Sequence, residues 1–154
     1  MRAVHQLLSG FADGDAISTC ARVLRDQLRA LGFQSDCYVV DAHCSPGLRS
    51  ECRPLAEYQG RAGDLVVHHF SIASPAQAAY LRSPALRVMV YHNITPPEYF
   101  DGFDDGVAGQ LREARAALPG IPGSADGRGD DEGWLLPAEA LARGGDFRGT
   151  ERTA

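Results

Sequence analysis

The order of apolar and polar positions divides the first 118 residues into alternating strands and helices. Residues 3–8 form a short apolar run of β type that ends at Ser9-Gly10. A loop with two glycines follows, Ser9-Gly10-Phe11-Ala12-Asp13-Gly14-Asp15. Ile17, Ala21, Leu24, Leu28 and Leu31 then recur at spacings of four and three, one apolar stripe of a helix. Asp15 or Ser18 stands where its start is capped, and Gly32 where a left-handed C-terminal residue belongs. Residues 33–40 read as a second strand. Strand, glycine loop, helix and strand in that order predict a crossover unit and a parallel sheet.

Residues 41–61 are irregular, with Pro46, Gly47, Pro54 and Gly60, and Gly63-Asp64 is a turn. Residues 65–69 predict a strand of the kind buried on both faces. Ser74-Pro75 predicts a capped helix start with proline in its first turn, running to about Leu81. Residues 86–91, Leu-Arg-Val-Met-Val-Tyr, predict another buried strand, and 92–97 a polar loop with two prolines. A last helix is expected from Asp105 to Leu118, with Val107, Leu111, Ala114 and Leu118 on one side. The fold class expected is therefore α/β, a Rossmann-like parallel sheet flanked by helices over residues 1–118. Residues 119–154 hold eight glycines and three prolines in 36 positions. That composition predicts a weakly ordered tail in which only Trp134-Leu135-Leu136 and residues 138–142 look able to pack.

Composition narrows the function classes. The formal net charge is −5, which argues against a nucleic-acid partner, since such proteins usually present a basic face. All 15 cationic residues are arginine, a mark of a GC-rich coding sequence. No apolar run approaches the roughly 20 residues of a membrane span, and the N-terminus is too short and polar for a signal peptide. Cys20, Cys37, Cys44 and Cys52 contain no C-x-x-C pair; a reduced, cytoplasmic setting is the simplest reading. A zinc site built from Cys44, Cys52 and His43 is a weak alternative to three structural side chains, and no metal or other cofactor is expected.

Ligands of open parallel sheets bind at the carboxyl ends of the strands, where strand order reverses. Three strand ends here carry polar residues: the glycine loop, Val67-His68-His69-Phe70-Ser71, and Tyr91-His92-Asn93-Ile94-Thr95-Pro96-Pro97. Gly10 and Gly14 would let backbone N–H groups approach a phosphate or sugar at a helix N-terminus; the alternative is a tight strand-to-helix turn. The loop lacks both G-x-G-x-x-G and G-K-[ST]. With only Asp41 as a weak acidic partner after the second strand, a nicotinamide-dependent oxidoreductase is disfavoured. His68 and His69 alternate in direction along a strand, so one of them is structural. His92 is either a satisfied histidine in a turn or a site residue. His68, His69 and His92 as a metal triad lack a supporting carboxylate pattern.

Residues 4–18, 65–72 and 91–100, in this order, resemble the opening segments of GT-B-fold glycosyltransferases of the retaining, family-4-like kind. The last segment, Tyr91-His92-Asn93-Ile94-Thr95-Pro96-Pro97-Glu98-Tyr99-Phe100, is the most specific. The resemblance implies an N-terminal, acceptor-side domain facing a second domain that holds a nucleotide-sugar donor, without a bound metal. It implies His92 near the reacting sugar as the catalytic candidate. Gly10, Gly14 and Asp15 would lie on the phosphate side. Asn93 and Thr95 would bind acceptor hydroxyls, with His68, His69 and Ser71 as further substrate-binding candidates. The partners implied are a nucleotide sugar and a hydroxyl acceptor. The donor-binding domain is not in these 154 residues, so a truncated chain, inactive alone and prone to self-association through an exposed interdomain face, is expected. A stand-alone sugar- or nucleotide-binding module is the alternative.

Overall fold

The computed structural model describes residues 3–121 and, for backbone only, 133–137. The strands are β1 Val4–Leu8, β2 Cys37–Val39, β3 Arg53–Pro54, β4 Leu65–Phe70, β5 Leu86–Tyr91 and β6 Gly133–Pro137. The helices are α1 Ala16–Ala30, α2 Pro75–Arg82 and α3 Asp105–Ala117. The strands form one sheet in the order β3-β2-β1-β4-β5-β6, and all neighbours are parallel. The order runs outward in opposite directions from β1 and β4, so β1 and β4 flank the switch point.

Side-chain alternation along the strands builds two apolar layers. On one face α1 brings Ala21 against Leu8, Cys37 and Val39, with Phe11 closing the end. On the other, Leu7, Val66, Phe70 and Met89 pack with Ala76 and Tyr80 of α2 and Leu111 and Ala114 of α3. α1 and α2 thus cover opposite faces, which right-handed crossovers require when the strand order reverses. Leu7, Leu8, Val66, Phe70, Met89 and Val90 are at most 1% exposed, as expected for strands covered on both sides.

The α/β reading of the sequence holds, with local differences. The second strand is three residues long, because Gln34 makes only an isolated bridge to Ala3 before pairing resumes at Cys37. The irregular stretch contains β3, two residues paired to Tyr38 and Val39, between short 3-10 turns. On α1, Leu31 ends the helix and is 74% exposed, and the residues buried are Ser18, Ala21 and Arg25. Arg25 is buried because its guanidinium reaches the Glu51 backbone oxygen at 2.7 Å, with Asp26 and Glu51 carboxylates at 2.8 and 3.3 Å. Asp15 is the α1 cap, and Gly32 has φ +88°, the left-handed value that glycine adopts at no steric cost. Ser74 precedes α2 without a side-chain capping bond. The Gln77 N–H, which its hydroxyl would cap, goes to the Ser74 backbone oxygen at 3.1 Å. The tail expectation falls on residues outside those described, except 119–121, where Ile121 packs into the core at 3% exposure, and Gly133–Pro137, which pair in parallel with β5 from Arg87↔Gly133 to Tyr91↔Pro137. No helix among the described residues is long and apolar enough to cross a membrane.

Candidate functional site

A crevice of about 440 Å³ opens at the carboxyl ends of β1 and β4, at the switch point where such sheets bind ligands. Ser9, Gly10, Phe11 and Ala12 line one side; Ser71, Ile72, Ala73 and Ser74 line the other. Asp15 and Ile17 at the start of α1, His43 from the turn after β2, and Gln110 of α3 complete it.

The loop after β1 is held by its neighbours. Phe11 N–H donates to the His43 oxygen at 3.0 Å and Ser45 N–H to the Phe11 oxygen at 2.8 Å. His43 Nδ1 lies 2.9 Å from the Ser9 oxygen, so this ring supports the crevice wall. The Cys44 and Cys52 sulfurs lie 3.4 Å apart, but no group of three or more metal-ligating side chains exists among the described residues. Asp15 Oδ2 accepts from Ser18 N–H at 2.8 Å and Ser18 Oγ at 2.6 Å, and Ser18 Oγ accepts from Ala12 N–H at 3.0 Å. The Asp15 carboxylate thus ties the loop to the first turn of α1. It also places a negative charge at the helix N-terminus, which offsets the pull of the helix dipole on an anion.

The glycines differ in what they require. Gly14 has φ +74°, and a Cβ there would stand in open space, so its backbone conformation alone accounts for it. Gly10 has no such constraint, and a Cβ there would meet only the His43 oxygen at 3.5 Å and its Cβ at 3.7 Å. Across the crevice, Ser74 Oγ is buried without a hydrogen-bond partner, an arrangement that ordinarily has a specific cause.

The histidines divide between the two faces of the sheet. His68 is fully buried against Phe70 and Tyr80, with Nδ1 3.2 Å from the Leu7 oxygen. Burial pushes its pKa down to about 4, and it does not line the crevice. His69, 1% exposed, faces the α1 side. Its Nδ1 lies 2.8 Å from His92 Nε2 and its Nε2 lies 2.9 Å from Gln6 Oε1; burial pushes its pKa down to about 3. The His69 and His92 rings lie 22° from parallel, with centroids 5.1 Å apart, and meet edge to edge along the hydrogen bond between them. His92 is half-buried at the end of β5, and its backbone N–H donates to the Phe70 oxygen at 3.0 Å. Burial lowers its pKa, while the Asp15 charge acts in the opposite sense.

Of the residues expected at the site, Gly10, Asp15 and Ser71 line the crevice. His69 and His92 are hydrogen-bonded to each other outside the lining, with His92 near enough to Asp15 to feel its charge. Gly14, Asn93 and Thr95 are exposed and lie outside the lining. Asn93 has φ +52°, a left-handed value that asparagine tolerates better than most residues. Sequence reasoning missed Gln6, Ser9, Ser74 and Gln110. Gln6 alone had a signal: an amide inside the apolar run Val-His-Gln-Leu-Leu, where a fully buried polar group needs partners.

Fold and crevice define the class: an open parallel α/β protein with a polar crevice at its switch point. Set against known protein families and against curated proteins, the chain matches none.

Proposed function

We propose that this chain supplies the acceptor-side wall of a GT-B-type glycosyl-transfer cleft, working with a nucleotide-sugar donor and a hydroxyl acceptor. In that reaction the acceptor oxygen bonds to the anomeric carbon as the bond to the diphosphate breaks. The diphosphate leaves with the bonding electrons, and the hydroxyl proton passes to a base. The observation that carries the reading is the crevice at the β1/β4 switch point, with Gly10, Ser71 and the unpartnered Ser74 hydroxyl in its walls and the His69–His92 pair beside it. The ordered likeness of residues 4–18, 65–72 and 91–100 to family-4-like enzymes supports the same reading. Hydroxyl-rich ligands suit a crevice whose polar side chains are Ser9, Ser71, Ser74 and Gln110, with Asp15 and His43 at its edge engaged by Ser18 and the Ser9 backbone oxygen.

A second reading, a sugar- or nucleotide-binding module without chemistry, is favoured by one feature. Asp15 is the crevice's carboxylate, and it is committed to Ser18. Calorimetry with UDP-glucose and simple glycosides, beside a radiolabel transfer assay, tests both. Transfer excludes the module, binding without transfer is what a module or one wall of an incomplete cleft gives, and no binding refutes both.

A further inference from the structure

Gln6, His69 and His92 form a chain of hydrogen bonds whose direction is set at its buried end. Gln6 is fully buried, and its Nε2 lies 3.0 Å from the Ala21 backbone oxygen. A carbonyl oxygen can only accept, so the Gln6 group facing it must be the NH2. Turning the amide over would set two acceptors against each other inside the core, a costly arrangement. Gln6 Oε1 therefore faces His69, and an amide oxygen also only accepts. His69 Nε2, 2.9 Å away, must carry a proton.

His69 is neutral, because burial holds its pKa near 3. With its proton on Nε2, its Nδ1 is a lone pair. That lone pair lies 2.8 Å from His92 Nε2, which must then donate. Each step leaves the next ring one role. At neutral pH half-buried His92, whose pKa burial lowers from the ordinary 6.5, is neutral, so its other nitrogen, Nδ1, is unprotonated. Nδ1 makes no hydrogen bond to any described residue.

We propose that Gln6 and His69 are positioning residues that hold His92 in its Nε2–H tautomer, so that Nδ1 stands as a hydrogen-bond acceptor for a ligand hydroxyl. The tautomer follows from the hydrogen-bond chain and the neutrality of both rings; the hydroxyl partner rests on the sugar-site reading proposed above. A second nitrogen fixed by a partner on the far side is a general way in which proteins set the working nitrogen of a histidine. The consequence here is selectivity: a hydroxyl that donates is accepted, and a ligand presenting only acceptors is not.

Nitrogen-15 NMR of the full chain tests this without any substitution. His92 and His69 should each show a protonated Nε2 and an unprotonated Nδ1. Finding His92 protonated on Nδ1 overturns the proposal. In Gln6→Leu the His69 Nε2 proton loses its acceptor, and the His92 signals should move from one dominant tautomer to a mixture. A folded Gln6→Leu protein with unchanged His92 signals also overturns the chain. The ligand arm uses methyl α-glucoside and UDP-glucose. Movement of the His92 Nδ1 resonance toward hydrogen-bonded values supports the hydroxyl role. An Nε2–H tautomer that neither probe perturbs refutes that role and the sugar-site reading, while the positioning of His92 by Gln6 and His69 stands.

Discussion

Replacing Asp15 separates its structural work from any part in binding. Its carboxylate accepts from the Ser18 N–H at 2.8 Å and the Ser18 hydroxyl at 2.6 Å, and Ser18 is 1% exposed. Asp15→Ala removes an N-cap, which costs about 1 kcal/mol. It also strands a buried hydroxyl donor, which costs about 1 to 2 kcal/mol. The sum is about 2 to 3 kcal/mol. Asp15→Asn keeps a side-chain oxygen for the cap, and asparagine caps about as well as aspartate. It loses only the interaction of the charge with the helix dipole, about 0.3 to 1 kcal/mol. Urea unfolding followed by circular dichroism reads both values, provided the slope with denaturant is unchanged. The capping argument is refuted if Asp15→Ala stays within about 0.5 kcal/mol of the parent, or if Asn costs as much as Ala.

Other outcomes follow from the same structure. His68 and His69 have pKa values pushed down to about 4 and about 3 from 6.5. The unfolded chain therefore takes up protons near pH 6.5 that the folded chain refuses. Their contribution is intact above 6.5 and falls as pH drops toward those folded values, by up to about 1.4 kcal/mol per pH unit for each histidine. Urea midpoints between about pH 7.5 and about pH 5 should fall accordingly, and a flat profile would count against two buried neutral histidines. Burial also pushes the Cys37 thiol up to about 12, so its alkylation at about pH 8 should be far slower in the folded protein than in urea, as mass spectrometry would show. Tyr99 and Phe103 are 76% and 87% exposed in the segment between β5 and α3. Concentration-dependent light scattering that Phe103→Ser reduces is expected, and a monodisperse parent would exclude self-association through them.

The parts of the fold that can be read from the chain are those set by local periodicity. β4 and β5 are short apolar runs, α1 keeps its Asp15 cap, and Leu111 and Ala114 of the α3 stripe are buried. Arg25 shows where periodicity fails. Its position on the buried face depends on Glu51, 26 residues away, and hydrophobic spacing carries no information about such a partner. β3 has no signal in the sequence because two residues, one of them proline, have no pattern of their own and exist as a strand only by pairing with β2.

The site is legible in its outline and not in its assignments. Polar residues at three strand ends mark the edge of the sheet where the crevice lies, and Gly10 and Ser71 stand in its walls. His43 enters it because the turn after β2 bridges back to Phe11, and its backbone oxygen accepts from a residue 32 positions earlier, a contact that no motif announces. The alternation of His68 and His69 correctly requires that they part company. Which of them lies beside the crevice depends on Gln6, whose amide sits on the α1 side with His69.

Whether the crevice between the ends of β1 and β4 holds a hydroxyl-bearing ligand is tested most directly by amide chemical-shift mapping with UDP-glucose. The largest shifts are expected at Ser9, Gly10, Ala12, Ser71 and Ser74, with His92 following. Shifts confined to the opposite edge of the sheet, around Arg53 and Arg61, or no shifts at saturating ligand, would contradict a sugar site at the switch point.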